Sequence, residues 1–521
     1  MRSAVLSSRS SAPPATAPRR EALVQLGYVL AVTSLAALWL GVALTHLGFY
    51  AFEDDEGTFL ATAQAVSRGH ELYREVWFNY FSGLVALLRL TFGIGGATVT
   101  APRACMAVLA AATMLLAACI ARRAGSRLSG ILAVLFLALM PGVSRLGRSV
   151  MAEVPAAAVG AFAVFALQRY LRDDRLLWLA AAGIAAGLGI WFKYPTAVLA
   201  GALVLGLWAG ARARRWPLCA VARRTALLLL CTAAPVMLSV LQHDIAAQWD
   251  QIVGTFLRAG DYYTLHVDSN IGKLADYVED NNTGLFALSL IGLAGLARRD
   301  RPQACLLGAW LILYIASELF STPLASHHTY LFLAPMAILA ALALAELPML
   351  VRAGRRRALR RRDGAVLAAT AVGLAAVLAL APETIESLVK LYRSDRDKQA
   401  DLYEATAVVA ANTLPGDYVV SDYPMITFRA GRSAPPGLTN TSGMRFRTEG
   451  LTEAVVRSAT AQYEPAAVIF WEDKFANSAP GYIVQIQAAY VEAYRNDEEQ
   501  DDGQMRLHAV YVRPDRYTTS D

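Results

Sequence analysis

The chain has 521 residues, of which 56% are hydrophobic and only 17% are charged, and its formal net charge is +6. Soluble proteins carry about a quarter of charged residues, and here the charges cluster between long apolar segments, which indicates a polytopic membrane protein. The excess positive charge comes mainly from arginines at the ends of apolar segments, so we expect a lipid bilayer and no nucleic acid as partner.

The N-terminal residues 1–22 form a polar segment rich in Ser, Pro and Arg, for which we expect a disordered cytoplasmic tail. The apolar segment 23–49 is too long for a signal-peptide core and should remain as a membrane helix. Residues 23–382 are therefore predicted to form an α-helical polytopic membrane domain with about 11–13 transmembrane helices. The further apolar segments lie at about 99–121, 128–144, 149–168, 176–192, 195–211, 223–243, 283–297, 303–320, 329–350 and 364–382.

The short apolar segment 81–92 decides the predicted topology. If this segment does not cross the membrane, every arginine cluster between the later helices falls on the cytoplasmic side, as the positive-inside rule requires. We therefore interpret it as juxtamembrane or re-entrant. The polar turns then converge on the extracytoplasmic face, where we expect a catalytic cavity. The arginine clusters lie within residues 122–127, 169–175, 212–224, 298–301 and 352–362.

The first outer loop, residues 50–98, contains four consecutive acids directly after the first membrane helix. Apolar residues follow them at helical spacing, which predicts an amphipathic helix at the interface. A carboxylate there could take the proton from an acceptor hydroxyl. Alternatively, Asp55 could cap a helix that begins near Gly57. The candidates in this loop are Asp54, Asp55 and Glu56 for the chemistry, and Glu75 and Tyr80 for a substrate pocket.

Three other outer turns carry polar residues that could complete the cavity. Glu153 stands at the outer end of an apolar helix, where an ionisable group is costly and usually functional, and it could support the site through an ion pair with Arg148. Arg148 and Lys193 could bind a lipid phosphate or extend toward lipid headgroups. The histidines of a later turn could bind phosphate, but two adjacent histidines make a poor metal motif, and we expect no metal. The candidate substrate-binding residues are Arg148, Glu153, Lys193, His327, His328 and Tyr330.

Helical and strand patterns alternate over residues 383–521, which predicts a small extracytoplasmic α/β domain. No Walker loop or Rossmann fingerprint is present in the sequence, which argues against an ATP-driven pump and against direct use of a nucleotide sugar. Helices are expected at about 384–412, 453–461 and 482–494, and strands at about 418–421, 466–470 and 505–512.

Taken in order, these motifs resemble the GT-C superfamily of membrane glycosyltransferases. Asp55–Glu56 followed by GTFLATAQAVSRGHELYREV is similar to the first loop of the branch that contains dolichyl-phosphate-mannose protein mannosyltransferases and bacterial aminoarabinose lipid A transferases. The similarity covers roughly residues 23–350, and the C-terminal tail resembles domains of bacterial members. The later matching motifs are Arg148…Glu153-Val-Pro, Lys193-Tyr-Pro and His328-Thr-Tyr-Leu.

The resemblance implies transfer of a sugar from a polyprenyl-phosphate carrier to an acceptor hydroxyl on a lipid, a cell-wall glycan or a protein. It further implies inversion at the anomeric carbon, with Asp55 as base and Glu56 orienting it, and no obligatory metal or other cofactor. One departure concerns the donor phosphate. Many bacterial relatives carry Lys-Pro-Pro where this chain has Asn79–Gly83, so phosphate binding would depend on Arg148, Lys193 or His328.

Two other functions remain open from the sequence. A transporter or flippase of the same lipid would move the substrate without breaking a bond. A non-catalytic membrane scaffold would use the C-terminal domain to bind a partner. Only the transferase requires Asp55 as a proton acceptor, so this residue distinguishes the three.

Overall fold

The chain folds into a bundle of α-helices followed by a small mixed domain. The computed structural model describes residues 16–49, 53–262, 265–321, 324–355, 361–393, 399–448, 450–499 and 505–517. Most of the predicted N-terminal tail, and part of the predicted arginine cluster 352–362, lie outside the described residues. Every predicted membrane span contains a helix.

The helices up to residue 393 form the membrane domain. Eight segments of the described chain are long and apolar enough to cross a membrane, and α3, α5 and α8 are shorter apolar helices. Helix α3 has 13 residues, fewer than the ~20 needed to span a bilayer. The chain is thus a multi-pass membrane protein, while the orientation of its termini stays a prediction. The helices are α1 (Thr16–Thr45), α2 (Asp55–Ser67), α3 (Gly83–Gly95), α4 (Thr100–Ala124), α5 (Arg127–Leu139), α6 (Pro141–Leu146), α7 (Glu153–Asp173), α8 (Leu176–Phe192), α9 (Val198–Ala213), α10 (Leu218–Leu241), α11 (Ile245–Trp249), α12 (Thr255–Tyr262), α13 (Val267–Asp280), α14 (Thr283–Arg299), α15 (Arg301–Leu319), α16 (Tyr330–Arg355) and α17 (Arg361–Arg393).

The C-terminal domain, residues 399–517, combines six helices with a four-stranded sheet of order β1-β2-β6-β3 in its described part. Strands β1 and β2 are parallel, and β6 runs antiparallel to both β2 and β3. The predicted small α/β domain is therefore present. Its helices are α18 (Ala400–Ala411), α19 (Pro424–Arg429), α20 (Gly443–Arg447), α21 (Glu453–Tyr463), α22 (Lys474–Ser478) and α23 (Pro480–Ala489), and its strands are β1 (Val419–Ser421), β2 (Ala467–Phe470), β3 (Val491–Arg495), β4 (Glu498–Glu499), β5 (Met505–Arg506) and β6 (Ala509–Val512).

Several predicted boundaries in this part of the chain are wrong. The helix predicted over 482–494 ends at Ala489, because the following residues pair with β6 as strand β3. The helix predicted over 384–412 is divided between α17 and α18, and α17 runs past the predicted domain boundary at residue 382. Short alternating segments such as 491–495 are compatible with a helix or a strand, and pairing with a neighbouring strand decides between the two.

The C-terminal domain packs directly on the first loop through α19 and α2. Met425 of α19 approaches Gly57 so closely that a Cβ at this glycine would lie 2.8 Å from the Met425 Cα. The rings of Phe92 and Phe428 stack with centroids 5.9 Å apart. Residues of α19 also belong to the hydrophobic core of the helix bundle. This contact places the C-terminal domain over the acids of the first loop.

Candidate active site

A cavity of about 280 Å³ lies at the end of the helix bundle that faces the C-terminal domain. It brings together residues that are far apart in the chain, such as Asp55, Lys193 and His328. Helix α20 of the C-terminal domain contributes Met444 to its wall. Five of the predicted site residues line this cavity: Asp55, Tyr80, Lys193, His327 and His328.

Asp55 is the first residue of α2. The residue before it, Asp54, occupies the N-cap position, but its side chain makes no capping hydrogen bond. The helix thus begins at Asp55 and not near Gly57, so the geometry does not favour the capping alternative. A carboxylate in the first turn interacts favourably with the helix dipole.

Glu56 points away from the cavity into the helix bundle, where its side chain is fully buried. Its carboxylate accepts hydrogen bonds from Arg103 Nε at 2.7 Å and Nη2 at 2.5 Å, and from the Val150 backbone N–H at 3.0 Å. Arg103 also donates to the Leu47 carbonyl oxygen at 2.8 Å. This network fixes α2 to α4 and to the end of α1. Glu56 therefore anchors the start of the helix on which Asp55 lies.

Arg103 was not among the candidates from the sequence. The available signal was an arginine inside an apolar membrane segment, where an ionisable group is expensive unless it has a partner. Its partner, Glu56, lies 47 positions earlier in the chain. Spacing alone does not reveal such a pair.

Removing one member of this buried pair should destabilise the fold. We expect Glu56→Gln to lower the free energy of unfolding by roughly 3–5 kcal/mol, because the Arg103 charge is left without its carboxylate. Thermal unfolding in detergent measures this change. The control is Glu386→Gln, which breaks an exposed pair with Lys390 and should leave the stability almost unchanged. Equal effects of the two substitutions would contradict the anchoring role.

A series of contacts between charged side chains lies next to the cavity. The Nδ1 atom of His327 lies 3.8 Å from Glu53 Oε2, and its Nε2 atom lies 3.6 Å from Glu153 Oε1. Glu53 also contacts Arg145, with Nη2 and Oε1 3.0 Å apart. Glu153, which the sequence paired with Arg148, contacts the buried Lys193 ammonium. These contacts hold Lys193 in the wall of the cavity, which Asp55 also lines.

Two further groups complete the lining. His328 Nδ1 lies 3.0 Å from Oε2 of Glu318, a buried acid that sequence reasoning missed although it stands at the end of an apolar span. The rings of Tyr80 and Tyr194 stack with centroids 6.0 Å apart, and the Lys193 ammonium lies 5.8 Å from the centre of the Tyr80 ring. Burial first, then the nearby Tyr194, Asp55 and Glu153, raises the pKa of Tyr80 well above its usual value, so its hydroxyl stays neutral.

The remaining predicted residues lie outside this cavity. Arg148 is fully buried near the end of α1, where Nη1 is 3.5 Å from the His46 carbonyl oxygen. Glu75 is exposed and bonds to His70, with Oε1 and Nδ1 3.2 Å apart. Tyr330 is buried in α16 among the helices. Asp54 is exposed at the N-terminal end of α2.

The fold brings an acid, Glu153, next to the two histidines, although no acid stands at helical spacing from them in the sequence. Ligand atoms of Glu153, His327 and His328 all lie within 4.8 Å of one another, so these three residues could hold a metal ion. Lys193 already supplies a positive charge to the same carboxylate. The expectation that no metal is required stays a prediction.

A second, larger cavity of about 1390 Å³ adjoins the first. Its wall includes Arg145 and Ser326, whose side chains hydrogen-bond at 3.0 Å, and the apolar residues Ile385 and Leu391 of α17. Arg145 lines this cavity and contacts Glu53, which in turn contacts His327 of the first cavity. The lining is mostly apolar but also includes the cations Arg145 and Lys390 and the acids Asp280 and Glu386, so the cavity suits an amphiphile with a polar head.

Comparison with known proteins agrees with this architecture. The family described as dolichyl-phosphate-mannose-protein mannosyltransferase matches residues 83–239. No curated protein sequence matches the chain. The crystal structure of ArnT from Cupriavidus metallidurans bound to undecaprenyl phosphate is similar, with a TM-score of 0.60, 14% identity, and coverage of 93% of this chain and 98% of that chain. The archaeal oligosaccharyltransferase AglB from Archaeoglobus fulgidus, in complex with an inhibitory peptide and a dolichol-phosphate, has a TM-score of 0.50 at 14% identity and covers 94% and 75% of the two chains.

Proposed function

We propose that this chain, a PMT-like membrane protein with the GT-C glycosyltransferase fold that its motifs predicted, transfers a sugar from a polyprenyl-phosphate carrier to an acceptor hydroxyl. The observation that supports this most strongly is the shared cavity of Asp55, Lys193 and His328. It combines a carboxylate that can accept a proton with a lysine ammonium and an imidazole that can bind a phosphate. The acceptor is a lipid, a cell-wall glycan or a protein on the extracytoplasmic side.

The cavity residues suit an inverting transfer. Asp55 takes the proton of the acceptor hydroxyl while the acceptor oxygen forms its bond to the anomeric carbon. The bond from that carbon to the carrier phosphate oxygen breaks, and the phosphate leaves with the electron pair. Lys193 stabilises the negative charge that develops on this phosphate. The products are the glycosylated acceptor and the free polyprenyl phosphate.

The larger cavity offers a place for the lipid part of a substrate. Undecaprenyl phosphate is bound in the ArnT structure, and a dolichol-phosphate is bound in the AglB structure. By analogy, we assign the apolar lining along α17 to an isoprenoid chain and Arg145 to its phosphate side. Arg148 is not among the residues that line either cavity, so we assign phosphate recognition to Lys193 and His328 of the first cavity and to Arg145 of the second.

A null strain tests the proposed function. Mass spectrometry of its envelope lipids should show a polyprenyl-phosphate sugar that accumulates and a glycan that disappears, and the accumulating lipid identifies the donor. The purified protein in vesicles should convert that lipid to free polyprenyl phosphate when acceptor is present. A flippase would move the lipid without releasing the phosphate, and a scaffold would do neither.

A further inference from the structure

A third cavity, of about 650 Å³, lies between the end of α2 and helix α3. Gln64 of the last turn of α2 lines it, together with Arg68, the residue that caps this helix at its C-terminal end. Helix α3 contributes Arg89, Leu90 and Phe92. None of the residues that line this cavity lines the two cavities described above. Two arginines from two different helices therefore border a separate cavity.

The two arginines of this cavity, Arg68 and Arg89, have no acidic partner within the part of the chain that the structure describes. Arg68 donates a hydrogen bond from Nη1 to the Ser433 hydroxyl of the C-terminal domain, which leaves its charge uncompensated. The acid closest after it in the chain, Glu71, already pairs with Arg74 at 3.1 Å. Guanidinium groups bind phosphate through paired hydrogen bonds, so an anionic phosphate fits the charge of this cavity.

Gln64 adds a buried polar group to the same cavity. The residue is only 5% exposed, and the described residues offer its side-chain amide no hydrogen-bond partner. Leaving a buried amide unpaired costs stability, since its hydrogen bonds to water are lost without replacement. Because Gln64 lines the cavity, a polar ligand there would supply the missing partner.

Helix α3 places this cavity next to lipid. With 13 residues the helix is too short to cross a bilayer, which takes about 20. Leu90 and Ile94 lie one turn apart on it and are 62% and 82% exposed, whereas Leu88 and Phe92 are buried. A short helix with exposed apolar side chains beside a cation is typical of the membrane interface. The ligand therefore has an apolar part that lies along Leu90 and Ile94.

We propose that this cavity binds the phosphate headgroup of an anionic membrane lipid. Arg68 and Arg89 bind the phosphate, the amide of Gln64 hydrogen-bonds to the headgroup, and the acyl chains follow the exposed apolar face of α3. The site lies at the end of α2 opposite to Asp55. It does not depend on sugar transfer, so it stands or falls separately from the proposed function.

Native mass spectrometry of the purified full-length protein, titrated with dioleoyl phosphatidylglycerol, tests this site through the Kd of the first bound lipid. We expect the double variant Arg68→Gln/Arg89→Gln to raise this Kd by about tenfold or more, because charge-assisted hydrogen bonds to the phosphate are lost. The matched control is Arg74→Gln, which removes an exposed arginine of the same loop outside the cavity and should stay within about twofold of the wild type. A wild-type Kd in the double variant would overturn the proposal.

Two comparisons identify the ligand. Dioleoyl phosphatidylcholine has the same acyl chains but no net charge, and it should bind more weakly than phosphatidylglycerol. Inorganic phosphate should displace the lipid only at far higher concentration, since it lacks the apolar part. Equal binding of the two lipids, or displacement by inorganic phosphate at the concentration of the lipid, would contradict the assignment to an anionic lipid.

Thermal unfolding separates binding from folding. Without lipid, Gln64→Leu should unfold at the wild-type temperature or above it, because the substitution removes a buried amide that has no partner. Phosphatidylglycerol should raise the unfolding temperature of the wild type and of Arg74→Gln, and raise that of Gln64→Leu and of the double variant less. A lower unfolding temperature of Gln64→Leu without lipid, with full stabilisation by the lipid, would show that Gln64 does not contact the headgroup.

Discussion

Asp55→Asn should reduce sugar transfer by about 10²- to 10⁴-fold, the range that a general base contributes. Asn keeps nearly the same shape but cannot accept the proton of the acceptor hydroxyl. The substitution occupies a partly exposed position in the first turn of α2, so the fold should tolerate it. Release of free polyprenyl phosphate from the donor, measured with purified protein in vesicles, gives the rate.

The matched control lies in the same loop. Glu71→Gln also neutralises one carboxylate, but Glu71 is exposed and pairs with Arg74 at 3.1 Å, outside the cavity lining. Its rate should remain within about twofold of the wild type, since exposed pairs contribute little. If Asp55→Asn also kept the wild-type rate, or restored the envelope glycan of a null strain fully, the acid would be structural, and the flippase and scaffold alternatives would gain support.

The sequence predicted much of this site because its residues occur at the ends of apolar segments. Asp55, Lys193 and the histidine pair each stand at a predicted helix end, and the positive-inside rule places all of them on one face. Hydropathy fixes where a helix ends with useful precision. It does not fix how a helix is rotated or how a turn folds, and Tyr330 of α16 and Arg148 of the turn after α6 both lie outside the cavity that Lys193 and His328 line.

The sequence did not reveal residues whose role depends on a partner that only the fold brings close. Glu318 pairs with His328, and Arg103 pairs with Glu56. No spacing rule connects such pairs, because the fold alone brings them together. The same reason explains strand β3, whose pairing with β6 overrides a helical pattern.

Lys193→Met should have the second large effect, a loss of about 10²- to 10³-fold in kcat, as seen when one group that stabilises developing negative charge is removed. Lys193 lines the cavity and carries a charge that does not depend on the protonation of an imidazole, and we propose it as phosphate partner in place of the missing Lys-Pro-Pro motif. The measurement is the same release of polyprenyl phosphate, with kcat and KM resolved. Lys193→Arg keeps the charge and should recover part of the rate.

The substitution also leaves the buried Glu153 without its ammonium partner, which could unfold the site instead of disabling it. The double variant Lys193→Met/Glu153→Gln separates the two effects, because it removes both charges together and should recover most of the lost stability. We expect its unfolding temperature to approach that of the wild type while sugar transfer stays low. Recovery of transfer along with stability would mean that Lys193 serves only to neutralise Glu153, and phosphate stabilisation would then fall to His328 and Arg145.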